Sequence, residues 1–131
     1  MERKRVSSGS PYEDAIGFSR AVRAGNMLVV SGTAPIAPDG STASPGDAYG
    51  QTRCCLEIVR AAVEQGGGSL KDVVRTRIYV TDASFTSEVG RAHAEYFKEI
   101  KPAATIVVVK GFVREDWLVE IEADCLLDDI A

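Results

Sequence analysis

Acidic and apolar residues alternate strictly around position 120, and this pattern constrains the segment to a β-strand. Residues 119–125 read Val-Glu-Ile-Glu-Ala-Asp-Cys. Because successive side chains of a strand point to opposite faces, one face is apolar and the other carries Glu120, Glu122 and Asp124. Three carboxylates in one row repel each other, so this face requires solvent, cations or a functional pocket.

A second predicted strand offers cations for that acidic face. Residues 73–81 alternate, with Arg75, Arg77 and Tyr79 on one face and a set beginning with Val74 on the other. The two arginines have the same two-residue spacing as the acids, so we expect them to pair across neighbouring strands. The simplest interpretation of the acidic row is a solvated or salt-bridged face, and the functional one is that an acid lines a site.

The remaining patterns predict an α+β fold. A helix begins at Pro45 with Ser44 as its cap, and Gly66-Gly67-Gly68 ends it. Predicted strands cover 3–7, 17–24, 27–34, 73–81, 103–110 and 117–127, and predicted helices cover 45–65 and 85–99. This order favours a mixed sheet with two helices packed on one face, formed by residues 1–131 as a single domain.

The strand after Pro102 is apolar on both faces, with Ile106 on one and Val107 on the other. Two helices cover only one face of the sheet. The simplest cover for the opposite face is a second copy of the chain, so the pattern predicts self-association.

Composition excludes several classes of function. The net charge of −4 and the pI near 5.0 argue against a broad nucleic-acid-binding face. We find neither an apolar run long enough to span a membrane nor a secretory signal. Three cysteines and a single histidine, without Cys-x-x-Cys spacing, favour a reducing, cytoplasmic location and predict no metal. The glycine triplet lacks a following Gly-Lys-Ser/Thr, and we predict no cofactor.

An ordered set of short segments resembles one known family. The segments are Ile16-Gly17-Phe18, the run from Gly25 to Pro35, Gln51-Thr52-Arg53, Asp72-Val73-Val74, Tyr79 to Asp82, Glu95-Tyr96-Phe97, Pro102-Ala103 and Glu120 to Ala123. Together, in this order and spacing, they resemble the Rid family, also called YjgF or endoribonuclease L-PSP. The resemblance covers nearly the whole chain.

The resemblance implies a chorismate mutase-like (YjgF) fold assembled as a homotrimer, with small-molecule clefts between subunits. The best-understood members hydrolyse enamines and imines to keto acids and ammonia. By resemblance, Glu120 lies near the catalytic water and Phe18 lines the cleft. The other predicted binding residues are Ser31, Gly32, Thr33, Ala104, Thr105, Ile106 and Arg114.

The chain departs from the family motif Pro-Ala-Arg-Ser/Thr, because Ala104 stands where the arginine grips a substrate carboxylate. A methyl group forms none of the charge-assisted hydrogen bonds of a guanidinium. Phe18 also lacks the hydroxyl of the family's tyrosine-like position, and Ile106 replaces a frequent cysteine. The sequence therefore predicts a cleft that binds a small metabolite, with or without hydrolysis, and lacks the usual carboxylate clamp.

Three questions stay open at this stage. A deaminase that uses Arg114 or Arg20 as a substitute anchor is an alternative, and a ribonuclease is a weaker one. A one-residue slip in strand register would also exchange the surroundings of Glu120 and Glu122, so either acid could face the cleft.

Overall fold

The computed structural model describes residues 1–128, which form one mixed sheet and three α-helices. The strands are β1 (Arg3–Val6), β2 (Ala21–Ala24), β3 (Met27–Thr33), β4 (Val73–Val80), β5 (Ala103–Val108) and β6 (Val119–Leu126). The helices are α1 (Pro11–Ile16), α2 (Ala48–Gln65) and α3 (Thr86–Phe97). Within these residues the sheet order is β1-β2-β3-β6-β4-β5. The β4–β5 pair is parallel and the other neighbours are antiparallel.

The core lies between the sheet and the two longer helices, which confirms the predicted α+β architecture. The apolar residues of β6 are buried beneath α2, whose own buried side chains include Leu56 and Val59. On β6 itself, Val119, Ile121 and Ala123 are fully buried while the acids between them are only half-buried. The alternation predicted from the sequence is therefore present.

The acidic row of β6 is paired by one of the two arginines that the spacing predicts, because Arg77 forms ion pairs with it and Arg75 forms none within residues 1–128. Arg77 of β4 places Nη1 3.1 Å from an Asp124 oxygen and 3.3 Å from Glu122 Oε1. The Tyr79 hydroxyl donates to Glu122 Oε1 at 2.9 Å. Two of the three acids thus belong to a salt-bridged sheet face, and Glu120 is left without such a partner within residues 1–128.

The start of α2 differs from the prediction. The helix begins at Ala48, and the cap is Asp47, whose side chain accepts a hydrogen bond from the Gly50 N–H at 3.0 Å. Ser44 was wrong as the cap because its backbone is left-handed (φ 44°), and the turn continues through a left-handed Gly46. Such backbone cannot join a right-handed helix, so Pro45 belongs to a turn.

The prediction of a strand over 17–24 is wrong in its first half. The short helix α1 precedes it, begins at Pro11 after the capping Ser10, and ends at Gly17 with φ 92°. The strand proper starts only at Ala21. A left-handed residue is incompatible with an extended strand and suits a helix end, where glycine carries no Cβ penalty.

The face assigned to Val74 is also wrong. A register shift between Val73 and Arg75 leaves Val73 3% exposed and Val74 44% exposed. A β-bulge adds one residue to a strand and thereby exchanges the faces of its neighbours. The other predicted elements are present with slightly shorter bounds.

Gln51, fully buried on α2, fixes the segment that leads into β6. Its amide donates to the Asp116 carbonyl and accepts from the Leu118 N–H, both at 2.8 Å. We expect Gln51→Leu to lower the free energy of unfolding by about 2–3 kcal/mol, because two backbone groups lose their partner. Urea unfolding would measure it, with Gln65→Leu on the exposed end of the same helix as control. Equal effects of both substitutions would contradict this role of Gln51.

Candidate functional site

Glu120 is the acid of β6 that has no hydrogen-bond or ion-pair partner in the part of the chain that the structure describes, and it lies against Gly32 of the neighbouring strand. A Cβ built on Gly32 would lie 3.2 Å from Glu120 Oε1, so the glycine leaves the space that this carboxylate occupies. Burial raises the pKa of Glu120, the Arg20 charge partly offsets this, and the Glu122 charge adds to it. A raised pKa makes the Glu120 carboxylate a stronger base toward a bound water.

A bulge in β3 produces this arrangement. Val30 pairs with Ala123 and Thr33 with Ile121, so two residues of β3, Ser31 and Gly32, oppose one residue of β6. Bulges redirect side chains and interrupt the ladder of backbone hydrogen bonds, and they are common beside functional sites. The sequence shows a Ser-Gly pair here but contains no signal for the register shift.

The polar groups of the bulge are largely used within the chain. The Ser31 hydroxyl donates to the Ser19 carbonyl at 2.6 Å, and the Thr33 hydroxyl donates to the Ser31 carbonyl at 2.8 Å. Thr33 is fully buried. The binding roles assigned to Ser31, Gly32 and Thr33 remain predictions, and the structure places Gly32 closest to Glu120.

Arg20 is held inside the protein beside this acid. It is 5% exposed, and its Nη2 donates to the Gly32 carbonyl at 2.6 Å. Its guanidinium carbon lies 5.4 Å from the Phe18 ring centroid. Burial lowers the pKa of Arg20, while the charges of Glu13 and Glu120 oppose that effect. Arg20 therefore joins Phe18, Gly32 and Glu120 into one cluster.

The helix α1, which sequence reasoning missed, supplies the second acid of this cluster. Glu13 is buried and accepts hydrogen bonds from the Ser8 N–H at 3.0 Å and from the Ser8 hydroxyl at 2.6 Å. Burial alone would raise the pKa of Glu13, but the Ser8 hydrogen bonds and the Arg20 charge bring it below its usual value. Glu13 is thus a buried negative charge near Arg20, without a direct ion pair between the two side chains in residues 1–128.

The Arg114 side chain contacts aromatic rings and a backbone carbonyl outside the Glu120 cluster. Its guanidinium carbon lies 5.2 Å from the Trp117 ring centroid and 6.0 Å from that of Tyr12. Its Nη1 donates to the Gly40 carbonyl at 2.9 Å. These contacts hold the side chain against its own loop and α1. Its assignment as a binding residue stays a prediction.

The predicted residues of β5 do not meet Glu120 within one chain. Glu120 pairs with Tyr79, which pairs with Val107, so Ala104 is two strands and three residues away. Those steps correspond to about 10 Å across the sheet and about 10 Å along it. Ala104 and Ile106 point to the helix side of the sheet with the β4 residues that they face, whereas Thr105 points to the acidic side.

A groove of about 610 Å³ lies between α2, the loop 34–40 and the segment 7–11, and it meets this cluster only at Arg20. Its volume is in the range of ligand pockets. Arg20 borders it, but Glu120 and the β5 residues do not. We therefore place the candidate site by its chemistry, at Glu120, and not by enclosed volume in a single chain.

Two classes of feature are absent from residues 1–128. No three or more His, Cys, Asp or Glu side chains in this part of the chain are grouped to hold a metal ion. None of its helices is both long enough and apolar enough to cross a membrane.

Comparison with known proteins agrees with the fold and the order of segments. Residues 10–126 match the family model described as endoribonuclease L-PSP. The 3-aminoacrylate deaminase RutC of Acinetobacter baylyi is 39% identical over 101 residues, which are 77% of this chain and 79% of RutC.

Two solved structures extend the comparison. Rv2704 of Mycobacterium tuberculosis, described as a member of the YjgF/YER057c/UK114 family, superposes with a TM-score of 0.87 at 46% identity and covers 96% of this chain and 100% of its own. The YjgF protein of E. coli superposes with a TM-score of 0.81 at 32% identity and covers 94% of this chain and 98% of its own.

Proposed function

The chain belongs to the YjgF (Rid) family of endoribonuclease L-PSP proteins, and from that membership we propose that it is a small-molecule hydrolase of the deaminase type. Its proposed substrates are small imines or enamines, from which it releases ammonia. The similarity to a 3-aminoacrylate deaminase supports this reaction class. The chemistry of the Glu120 cluster supports it independently.

The observation that carries the proposal is the contrast between two acids on one strand face. Glu122 is engaged by Arg77 and Tyr79, whereas Glu120 has no hydrogen-bond partner within residues 1–128 and lies half-buried against Gly32. A proton-transfer group must be free to accept and return a proton. This contrast favours Glu120 over Glu122 as the catalytic acid.

In the proposed reaction Glu120 acts on water. The carboxylate accepts a proton from the water as the water oxygen forms a bond to the imine carbon, the π electron pair moves to nitrogen, and nitrogen takes up that proton from Glu120; the resulting carboxylate is ready to accept another. The carbinolamine then collapses: the hydroxyl loses its proton to the carboxylate, Glu120 passes that proton to the amine nitrogen, a carbonyl forms, the carbon–nitrogen bond breaks, and nitrogen leaves as ammonia. The raised pKa of Glu120 suits a group that must both accept and return a proton in this sequence.

The proposed substrate lacks the usual anchor at position 104. Ala104 offers a methyl group where a carboxylate-binding guanidinium would stand. Arg20 is buried and bonded to the Gly32 carbonyl, and Arg114 is stacked on Trp117. These contacts count against either arginine as a substitute anchor, so an uncharged substrate is favoured over a carboxylate.

The net charge of −4 counts against the alternative function of a ribonuclease.

We also propose that the site is completed in a homotrimer. Every residue of β5 is exposed in the single chain, including Ile106 (37%), Val107 (41%) and Val108 (57%). A free strand edge with exposed apolar side chains normally acquires a cover. A second copy on this edge could bring Ala104, Thr105 and Ile106 to the Glu120 cluster of its neighbour.

The unpaired state of Cys54, Cys55 and Cys125 fits the proposed cytoplasmic location.

The proposal is tested by measuring ammonia release from freshly generated 2-aminoacrylate and from the imine of pyruvamide, which has no carboxylate. We expect the wild type to prefer the pyruvamide imine. We expect Ala104→Arg to raise kcat/KM for the carboxylate substrate by roughly tenfold to a hundredfold, because it restores a charge-assisted hydrogen bond. The matched control is Ala103→Arg, on the opposite face of the same strand. Ammonia release no faster than in buffer, for both substrates and both proteins, would overturn the hydrolase assignment.

A further inference from the structure

His93 is held in one orientation by contacts that its sequence context does not reveal. Its Nε2 lies 2.9 Å from the hydroxyl of Thr76, a fully buried residue of β4. Its ring centroid is 4.7 Å from that of Phe97. From the sequence, a single histidine on a helix is expected to be a surface or subunit-contact residue. In the single chain it is a half-buried, oriented imidazole, and its role as a subunit contact stays a prediction.

The helix geometry shows which side of α3 carries this imidazole. Glu95 faces α2, where it accepts hydrogen bonds from the Tyr49 hydroxyl and from Arg53. Successive helical residues are rotated by about 100°, so His93 is about 200° from Glu95 and faces away from α2. Because α2 lies over β3 and β6, the strand on the His93 side is β5.

The helix side of β5 is open beside this imidazole. Thr76 is in register with Ala104, and Ile78 is in register with Ile106, so both β5 side chains point to the same side as His93. Neighbouring strands are only about 4.8 Å apart. Both β5 residues are nevertheless exposed, and a Cβ built on Gly90 of α3 would meet no atom within 4 Å. Residues three apart share a helix face, so Gly90 extends the open space along His93.

The chemistry of this recess is polar but uncharged. His93 forms no ion pair within residues 1–128, and burial lowers the pKa of its imidazole, so the neutral form dominates at neutral pH. A neutral imidazole carries one donor and one acceptor nitrogen. With Nε2 occupied by Thr76, Nδ1 has no partner in this part of the chain and is not among its buried unpaired atoms, so solvent reaches it.

We propose that His93 is the hydrogen-bonding anchor of this recess, formed by Gly90, His93, Ala104 and Ile106, and that it selects an uncharged carbonyl or amide group of the ligand. The inference rests on the proposed function, since a second copy on the β5 edge is what would bring its Glu120 cluster to this recess. A guanidinium at position 104 would fill this space and attract a carboxylate. The Ala104 methyl leaves the space to a ligand that hydrogen-bonds to the imidazole. His93 is therefore a specificity-determining residue.

The test uses the fact that the chain has a single histidine, so its imidazole nitrogen signals need no assignment. The full-length protein labelled with ¹⁵N is titrated with pyruvamide and, separately, with pyruvate. We expect pyruvamide to shift the Nδ1 resonance of His93 and to bind more tightly than pyruvate. We expect His93→Ala to weaken pyruvamide binding by roughly threefold to tenfold, the effect of one neutral hydrogen bond.

A conservative variant and a control separate recognition from folding. His93→Gln retains a donor and an acceptor and is expected to recover part of the pyruvamide affinity. Glu99→Gln, an exposed change near the end of the same element, is expected to change nothing. Pyruvamide binding that leaves the Nδ1 resonance unmoved in the wild type would overturn the proposal, whether or not His93→Ala folds. So would equal affinity for pyruvamide and pyruvate.

The two proposals fail in distinguishable ways. The titration measures binding without turnover. A pyruvamide-dependent shift of the His93 resonance in a protein that releases no ammonia would therefore support the proposed anchor and reject the proposed hydrolase activity. Ammonia release that requires Glu120, together with no effect of pyruvamide on His93, would keep the hydrolase and reject this anchor.

Discussion

Replacing Glu120 with glutamine is expected to lower imine hydrolysis by at least about 100-fold, because a positioned general base contributes about 10²–10⁴-fold and an amide cannot take up the proton. The measurement is kcat/KM for ammonia release from the better of the two imines. The matched control is Glu122→Gln, two residues further along the same strand face, whose carboxylate is instead bound by Arg77 and Tyr79. We expect the control to keep most of the activity.

The same variant has an expected effect on stability. Burial raises the pKa of Glu120 in the folded state above its ordinary value of 4.5. The contribution of this group to stability is therefore complete below about pH 4.5 and is lost as the pH rises through the folded-state pKa. At pH 7 Glu120→Gln should be at least as stable as the wild type, and its relative advantage should shrink as the pH falls toward 4.5.

Other results would contradict this assignment of roles. Unchanged turnover in Glu120→Gln would remove Glu120 from the reaction. A larger loss in Glu122→Gln would transfer the catalytic role to the acid that the structure shows paired. Unfolding measured by circular dichroism at both pH values distinguishes a catalytic loss from a loss of fold.

Replacing Arg20 with alanine is expected to lower the free energy of unfolding by about 2–3 kcal/mol, because a hydrogen bond from a buried charged donor is lost. Arg20 is 5% exposed, donates to the Gly32 carbonyl and lies near the charges of Glu13 and Glu120. Its removal leaves the Gly32 carbonyl without its donor and takes away the positive charge that helps to offset the burial of Glu13. Urea unfolding provides the measurement.

The control for Arg20 is Arg114→Ala, which removes another guanidinium from a more exposed place. Arg114 has a cation–π contact with Trp117 and one hydrogen bond to the Gly40 carbonyl, so we expect a loss of about 1 kcal/mol. A double-mutant cycle of Arg20→Ala with Glu13→Gln would show coupling between the two charges. Unchanged stability in Arg20→Ala, together with a large loss of carboxylate binding, would instead make Arg20 a substrate anchor.

The sequence predicts the cleft residues of β6 and those of β5 separately, and the structure shows why it does not predict the distance between them. The sequence places Glu120 on a polar strand face and Ala104 at the start of an apolar strand, and both positions are observed. Their distance within one chain is set by the sheet order, in which β4 lies between their strands. Strand order depends on pairing between distant segments and leaves no periodic pattern in any one of them.

Local errors in the predictions have a common physical cause. Serine is a common helix cap, and Val74 has the spacing of a residue that points to the core. The left-handed backbone of Ser44 and the bulge beside Val74 prevent these roles. A left-handed residue and a bulge are single-residue events. They change a boundary or a face without altering the average pattern on which a sequence-based prediction rests.

Alternation and composition determined which faces of β6 are apolar and acidic, that Arg77 pairs with the acids, and that two helices cover one side of a mixed sheet. Those features follow from side-chain periodicity, which every residue of an element repeats. Tertiary structure alone decided that Glu120 has no hydrogen-bond partner among residues 1–128, that Arg20 is buried beneath the bulge, and that His93 meets Thr76. Each depends on one contact between segments far apart in the chain, and such a contact repeats nowhere in the sequence.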